Sequence, residues 1–82
     1  MKITIKTFAQ TREITKTPSL ELDVEEKATV ASVMAKLQER DENWSLALDT
    51  SVLTACNHQL CEKDMVLCDG DEVAFIPPVQ GG

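Results

Sequence analysis

Apolar and polar residues alternate in short stretches of this chain. In the stretch 2–8, Ile3 and Ile5 stand at odd positions. The even positions are taken by Lys2, Thr4, Lys6 and Phe8. The stretch 20–24 alternates as cleanly. Because successive side chains of a strand point to opposite faces of a sheet, this period of two predicts two half-buried strands.

A period near 3.6 residues replaces this alternation in the middle of the chain. It places one apolar stripe on a helix, formed by Val30, Val33, Met34 and Leu37. Thr29 is a suitable N-cap, and we expect the helix to end within 40–42. The stretch 9–14 predicts a short helical turn, and Trp44 is expected to cover one end of the core, with a ligand platform as the alternative.

The last part of the chain returns to short strands. We expect strands at 52–56 and 72–76, a turn near Asn57 and His58, and a short strand or loop at Leu60. Pro77 has no backbone N–H, so regular pairing should stop there. The order of elements favours an α+β fold of the β-grasp kind, in which one main helix packs on one face of a mixed sheet of four to five strands.

The sequence finishes in Pro77-Pro78-Val79-Gln80-Gly81-Gly82. We therefore expect a globular domain at 1–76 and an extended tail at 77–82. Glycine has no Cβ, so Gly81 and Gly82 could pass through a channel too narrow for side chains. The α-carboxylate of Gly82 is then the expected functional group, and an unimportant frayed terminus is the alternative.

Composition narrows the function classes. The 82 residues indicate a single small domain, and the net charge of −6 argues against nucleic acid and anionic membranes as partners. No apolar run approaches the ~20 residues of a membrane span, and the alternating N-terminus is unlike a signal peptide, so we expect a cytoplasmic protein. The chain has one histidine, no tyrosine and no phosphate-binding loop. We expect it to be acted upon rather than to be an enzyme on its own.

Three cysteines stand at Cys56, Cys61 and Cys68. Their odd number and their spacing fit neither a disulfide framework nor a CxxC motif. His58 lies between the first two, but a fourth metal ligand is missing at a recognisable spacing. We expect thiols in a reducing compartment and no metal site.

An exposed apolar patch is predicted on the sheet face that the helix leaves free. Phe8 and Ile76 have the parity opposite to that of the expected core residues, and Leu60 is placed to join them. A contiguous exposed patch usually marks an interface. The alternative is that a loop covers these residues.

A resemblance accounts for the tail and the patch together. Phe8-Ala9, Arg12-Glu13 and the run 69–82, which reads DGDEVAFIPPVQGG, resemble the small subunits of molybdopterin synthases, a family of ubiquitin-like sulfur carriers. The match covers the whole chain in length and element order. The cysteine-rich segment 56–68 departs from the family pattern.

The resemblance implies a chemical role for Gly82. An E1-like activating enzyme would use ATP to convert its carboxylate to an acyl-adenylate, and a sulfur nucleophile would then yield a thiocarboxylate. The large synthase subunit would transfer this sulfur to a pterin precursor, giving molybdopterin. The family also implies an assembly of two large and two small subunits, no bound cofactor, and partner contacts through Phe8, Leu60 and Ile76.

Other functions fit the same residues. A Gly-Gly tail also suits a sulfur carrier of another pathway, such as thiamine or cysteine biosynthesis. It suits a ubiquitin-like modifier joined to lysines through Gly82, and a plain binding module that does not use the tail.

Overall fold

The computed structural model describes residues 1–49 and 51–78. The predicted functional residues Gly81 and Gly82 lie outside this part of the chain. Within it, the elements follow in the order β1 (Lys2–Thr7), α1 (Ala9–Thr15), β2 (Ser19–Asp23), α2 (Val30–Gln38), α3 (Glu42–Ala47), β3 (Leu53–Cys56), β4 (Gln59–Leu60) and β5 (Glu72–Ile76).

The described strands form one mixed sheet in the order β2-β1-β5-β3-β4. The central strand β5 pairs parallel to β1 and antiparallel to β3, and the remaining pairs are antiparallel. Helix α2 packs across one face of this sheet, which confirms the predicted β-grasp arrangement.

The core lies between α2 and the inner face of the sheet. Ile3 and Ile5 of β1 and Val73 and Phe75 of β5 are buried there. The apolar stripe of α2 joins them in one cluster, as predicted. Trp44 is buried in the same cluster, so it is a core residue rather than a ligand platform.

Helix α2 begins where the sequence predicts and ends earlier. The Thr29 side chain accepts a hydrogen bond from the Ser32 backbone N–H, and the Ser32 hydroxyl accepts one from the Thr29 N–H, forming a capping box. The prediction of an end within 40–42 is wrong, because the helix stops at Gln38. The reason is Asp41, which caps α3 through a hydrogen bond from the Trp44 N–H and takes an extended backbone to do so.

Four boundaries, in three strands, differ by one residue from those predicted. The first strand ends at Thr7 rather than Phe8, because Ala9 has a φ of 50° and turns the chain into α1. Strand β2 spans Ser19–Asp23 rather than 20–24, and β3 begins at Leu53 rather than Val52. None of these shifts moves a side chain to the other face of the sheet.

No helix in residues 1–49 and 51–78 is both long and apolar enough to cross a membrane.

Candidate docking face and tail root

The tail begins at the end of the central strand. Ile76 is the last residue of β5 and pairs with Leu53 of β3. Pro77 and Pro78 follow, both partly buried, and line a groove against α1 and α3. Since each residue before a proline is restricted to extended conformations, the tail root is stiff at Ile76 and Pro77. The tail therefore starts with a fixed direction at the end of the central strand.

The outer face of the sheet carries the predicted apolar patch. Phe8, Leu60 and Ile76 line one groove, with the side chains of Ala55 and Ala74 at its floor. We call these five residues the outer patch. Phe8 is 46% exposed and Leu60 72% exposed, so within the described residues no loop covers them. The sequence prediction that Phe8, Leu60 and Ile76 come together is confirmed.

One apolar neighbour of the outer patch was missed from the sequence. Leu53 lies directly opposite Ile76 in the antiparallel β3–β5 pair and is 43% exposed. Directly paired residues point to the same face of a sheet, so Leu53 extends the patch toward the tail root. The alternation within 52–56 carried this signal, because Leu53 shares the parity of Ala55. The alternation alone does not show that Leu53 lies beside Ile76, because that depends on how β3 is aligned with β5.

A polar rim borders the outer patch and was also missed. His58, in the turn between β3 and β4, and Glu72, at the start of β5, line the same groove as Phe8. Their Nε2 and Oε2 atoms are 3.5 Å apart. They are 14 positions apart in the sequence, and only the sheet register brings them together.

The turn that carries His58 is tied to β5 by Asn57. The Asn57 side-chain amide donates to Asp71 Oδ1 at 3.0 Å, and its carbonyl oxygen accepts from the Glu72 N–H at 3.0 Å. Asp71 Oδ2 also accepts from the Cys68 N–H at 2.8 Å. The Cys68 and Asn57 hydrogen bonds stabilise the carboxylate and lower the pKa of Asp71 below its ordinary value.

The three cysteines differ in environment, and all are free thiols. Cys56 is buried, Cys61 is partly buried and Cys68 is exposed. Burial, together with the charge of Asp71, raises the pKa of the Cys56 thiol to about 11, so this thiol is a poor nucleophile. In the described part of the chain, no three His, Cys, Asp or Glu side chains form a group that could hold a metal ion.

Known proteins are similar to this chain in sequence and in fold. The sulfur carrier subunit of molybdopterin synthase from Escherichia coli K12 is 42% identical over 76 residues, which cover 92% of this chain and 93% of that protein. The crystal structure of SAMP1 from Haloferax volcanii superimposes with a TM-score of 0.87 at 24% identity, over 100% of both chains, and shows the same ubiquitin-like fold.

A third relative was solved together with a partner. It belongs to the complex of subunits 1 and 2 of the molybdopterin-converting factor from Helicobacter pylori, with a TM-score of 0.75 and 25% identity over 100% of both chains. The ThiS family model matches residues 5–82, which is nearly the whole sequence. The chain therefore belongs to the ThiS family.

Proposed function

We propose that this chain is the sulfur-carrier subunit of a molybdopterin synthase and works in the cytoplasm. The observation that carries the proposal is the 42% identity to such a subunit over 92% of the chain. An exposed apolar patch beside a stiff tail root supports it. This is the arrangement that a carrier needs to dock on a partner and insert its tail into the partner's active site.

The proposed chemistry takes place at Gly82. A carboxylate is a poor electrophile because its leaving group would be oxide. An activating enzyme of the E1-like class uses ATP to form the acyl-adenylate of Gly82, from which AMP can leave. A sulfur nucleophile displaces AMP: hydrosulfide gives the thiocarboxylate directly, whereas a persulfide gives an acyl disulfide, whose S–S bond a thiol reductant then cleaves to leave the thiocarboxylate. The large synthase subunit then takes this sulfur for a pterin precursor on the way to molybdopterin.

In these reactions the chain binds the partners and directs its tail into them, and the partners supply the catalysis. The outer patch docks on the large subunit and on the activating enzyme, with Phe8, Leu60 and Ile76 as its anchors. Pro77 and Pro78 reduce the conformational entropy that the tail loses when it enters a partner. Six residues from 77 to 82 reach ~20 Å at full extension, which is long enough to enter an active site while the domain stays outside.

The test is the mass of C-terminal fragments of the untagged chain. They are measured before and after incubation with ATP, the activating enzyme and a sulfur source. We expect sulfur in place of oxygen on Gly82. Fragments are needed because this exchange changes the mass by as much as one oxidation, and the chain has three Met and three Cys.

Two matched variants complete the test. Gly82→Ala, or one residue added after Gly82, should abolish sulfur transfer while the domain unfolds at the wild-type temperature. Full transfer by the extended chain would contradict the proposal. Sulfur on Gly82 that is delivered only by another pathway's enzymes would favour a different carrier role, and adducts on lysines that survive reduction would favour a protein modifier.

A further inference from the structure

The only histidine of the chain stands at the rim of the outer patch. His58 lines the groove formed with Phe8, Leu60 and Ile76, and its imidazole faces the Glu72 carboxylate at 3.5 Å. The His58 side chain is 86% exposed and that of Glu72 is 30% exposed. A partner that covers the patch therefore also covers this pair and removes the water that still contacts it.

The backbone holds the imidazole in this position. Asn57 and His58 have φ values of 52° and 71°, the left-handed region that suits a tight hairpin turn. The Asn57 N–H donates to the Glu72 carbonyl oxygen at 2.8 Å, in addition to the side-chain bonds of Asn57 to β5. Glycine would satisfy the same turn with less strain than histidine, and asparagine tolerates it as well. The fold therefore requires the turn, but it does not require an imidazole there.

Among the described residues, His58 is the group at ion-pair distance from Glu72 that can carry a positive charge. Within the described residues, the ion pairs are Lys2–Glu21 and His58–Glu72. Strand β1 places the neutral Thr4 opposite Glu72, and Lys6 lies two pairs further along, opposite Ala74. Asp71, the residue before Glu72, adds a second negative charge near the turn. A neutral His58 would leave this acidic corner without a cation at ion-pair distance.

We infer that His58 and Glu72 form a proton-linked rim, so that the large subunit binds the carrier more tightly when His58 is protonated; this rests on the proposed function. Docking removes water from Glu72, and a carboxylate without water or a cation is costly to bury. A protonated imidazole supplies the missing charge, whereas a neutral one does not. In the free chain His58 is exposed and Glu72 is partly exposed, so solvent screens the pair and it contributes little.

The direction of the pH effect follows. An imidazole ordinarily loses its charge between about pH 5 and pH 8. Affinity is therefore greatest at the acidic end of this range and falls as the pH rises through it, and docking at intermediate pH takes up a proton. We expect roughly fivefold weaker binding at pH 8 than at pH 6, at the low end of typical coupling between linked equilibria.

The experiment measures binding of the full chain to the large subunit by calorimetry at pH 6 and pH 8. The matched variants are His58→Asn, because asparagine tolerates the left-handed turn, and Glu72→Gln, which removes the carboxylate. Both variants should lose the fivefold difference in affinity between pH 6 and pH 8. Any pH dependence that they keep belongs to the partner. Proton uptake, measured in two buffers of different ionisation enthalpy, should occur with the wild type and disappear with His58→Asn.

Separate outcomes test the inference and the proposed function. If wild type and His58→Asn show the same pH dependence and the same proton uptake, the rim is not proton-linked. Docking itself would still stand if Phe8→Ala weakens binding in that experiment. If the wild type does not bind the large subunit at either pH, the proposed function is wrong, and the inference fails with it.

Discussion

Strand β5 presents two kinds of residue to two surroundings. Val73 and Phe75 point to the inner face and are fully buried against α2. Ala74 and Ile76 point to the outer face, where the described residues provide no helix and where Phe8 and Leu60 stay exposed. Within one short strand, consecutive side chains therefore belong to the core and to the proposed docking face.

The contrast shows where the free energy of apolar burial is used. On the inner face it is realised on folding and appears as stability. On the outer face much of it is not realised on folding, and in the proposed function it is realised when a partner covers the patch. Substitutions at neighbouring positions of β5 should therefore change different quantities, unfolding at one position and binding at the next.

The largest expected effect is on the inner face. Phe75→Ala removes a fully buried aromatic side chain from the centre of the core, and we expect a loss of about 3–5 kcal/mol in the free energy of unfolding. Domains of this size have only roughly 4–12 kcal/mol in total, so the variant should be largely unfolded in mild denaturant. Urea denaturation followed by circular dichroism measures this. A loss below 1 kcal/mol would mean that Phe75 does not anchor the core.

A smaller effect of a different kind is expected on the outer face. Phe8→Ala and Ile76→Ala should each weaken binding to the large subunit by about 1–3 kcal/mol, because anchors of an interface are its exposed apolar side chains. Their free energies of unfolding should fall by less than about 1 kcal/mol, since both side chains keep contact with water. Calorimetric titration and urea denaturation of the same samples separate the two quantities. Unchanged affinity with lost stability would place these residues in the core.

The smallest expected effect concerns the turn that supports the outer face. The lowered pKa of Asp71 means that its bonds to Asn57 and Cys68 stabilise the folded state above the ordinary carboxyl pKa, ~3.9. This stability is lost as the pH falls through the lower folded-state value. Wild type should therefore lose more stability between pH 5 and pH 3 than Asp71→Asn does, by urea denaturation at each pH. Equal losses would contradict a role for the Asp71 charge.

The sequence predicts the elements better than the contacts between them. Strand β5 has the predicted bounds because a turn at Gly70 and the proline at Pro77 limit a clean alternation on both sides. The end of α2 was missed because Asp41, polar like its neighbours, reveals its capping role only when α3 follows. Strong local signals are therefore sufficient for element type and less so for boundaries.

Some residues of the candidate site could be predicted from the sequence, and others could not. Parity alone places Phe8 and Ile76 on one face, so the main anchors were predictable. Leu53 and the His58–Glu72 pair depend on strand register, which a single sequence does not state. The roles of Gly81 and Gly82 rest on chemistry at residues outside the described part of the chain, and they stay predictions.

The tail is attached to the middle of the sheet rather than to its edge. Strand β5 is bonded to β1 on one side and to β3 on the other, and Pro77 and Pro78 follow it directly. A pull on Pro77 along the axis of β5 would therefore load the backbone hydrogen bonds of both pairs in shear, all at once, instead of peeling them apart one by one. In the proposed function, we therefore expect the domain to stay folded when its tail is withdrawn from a tight channel.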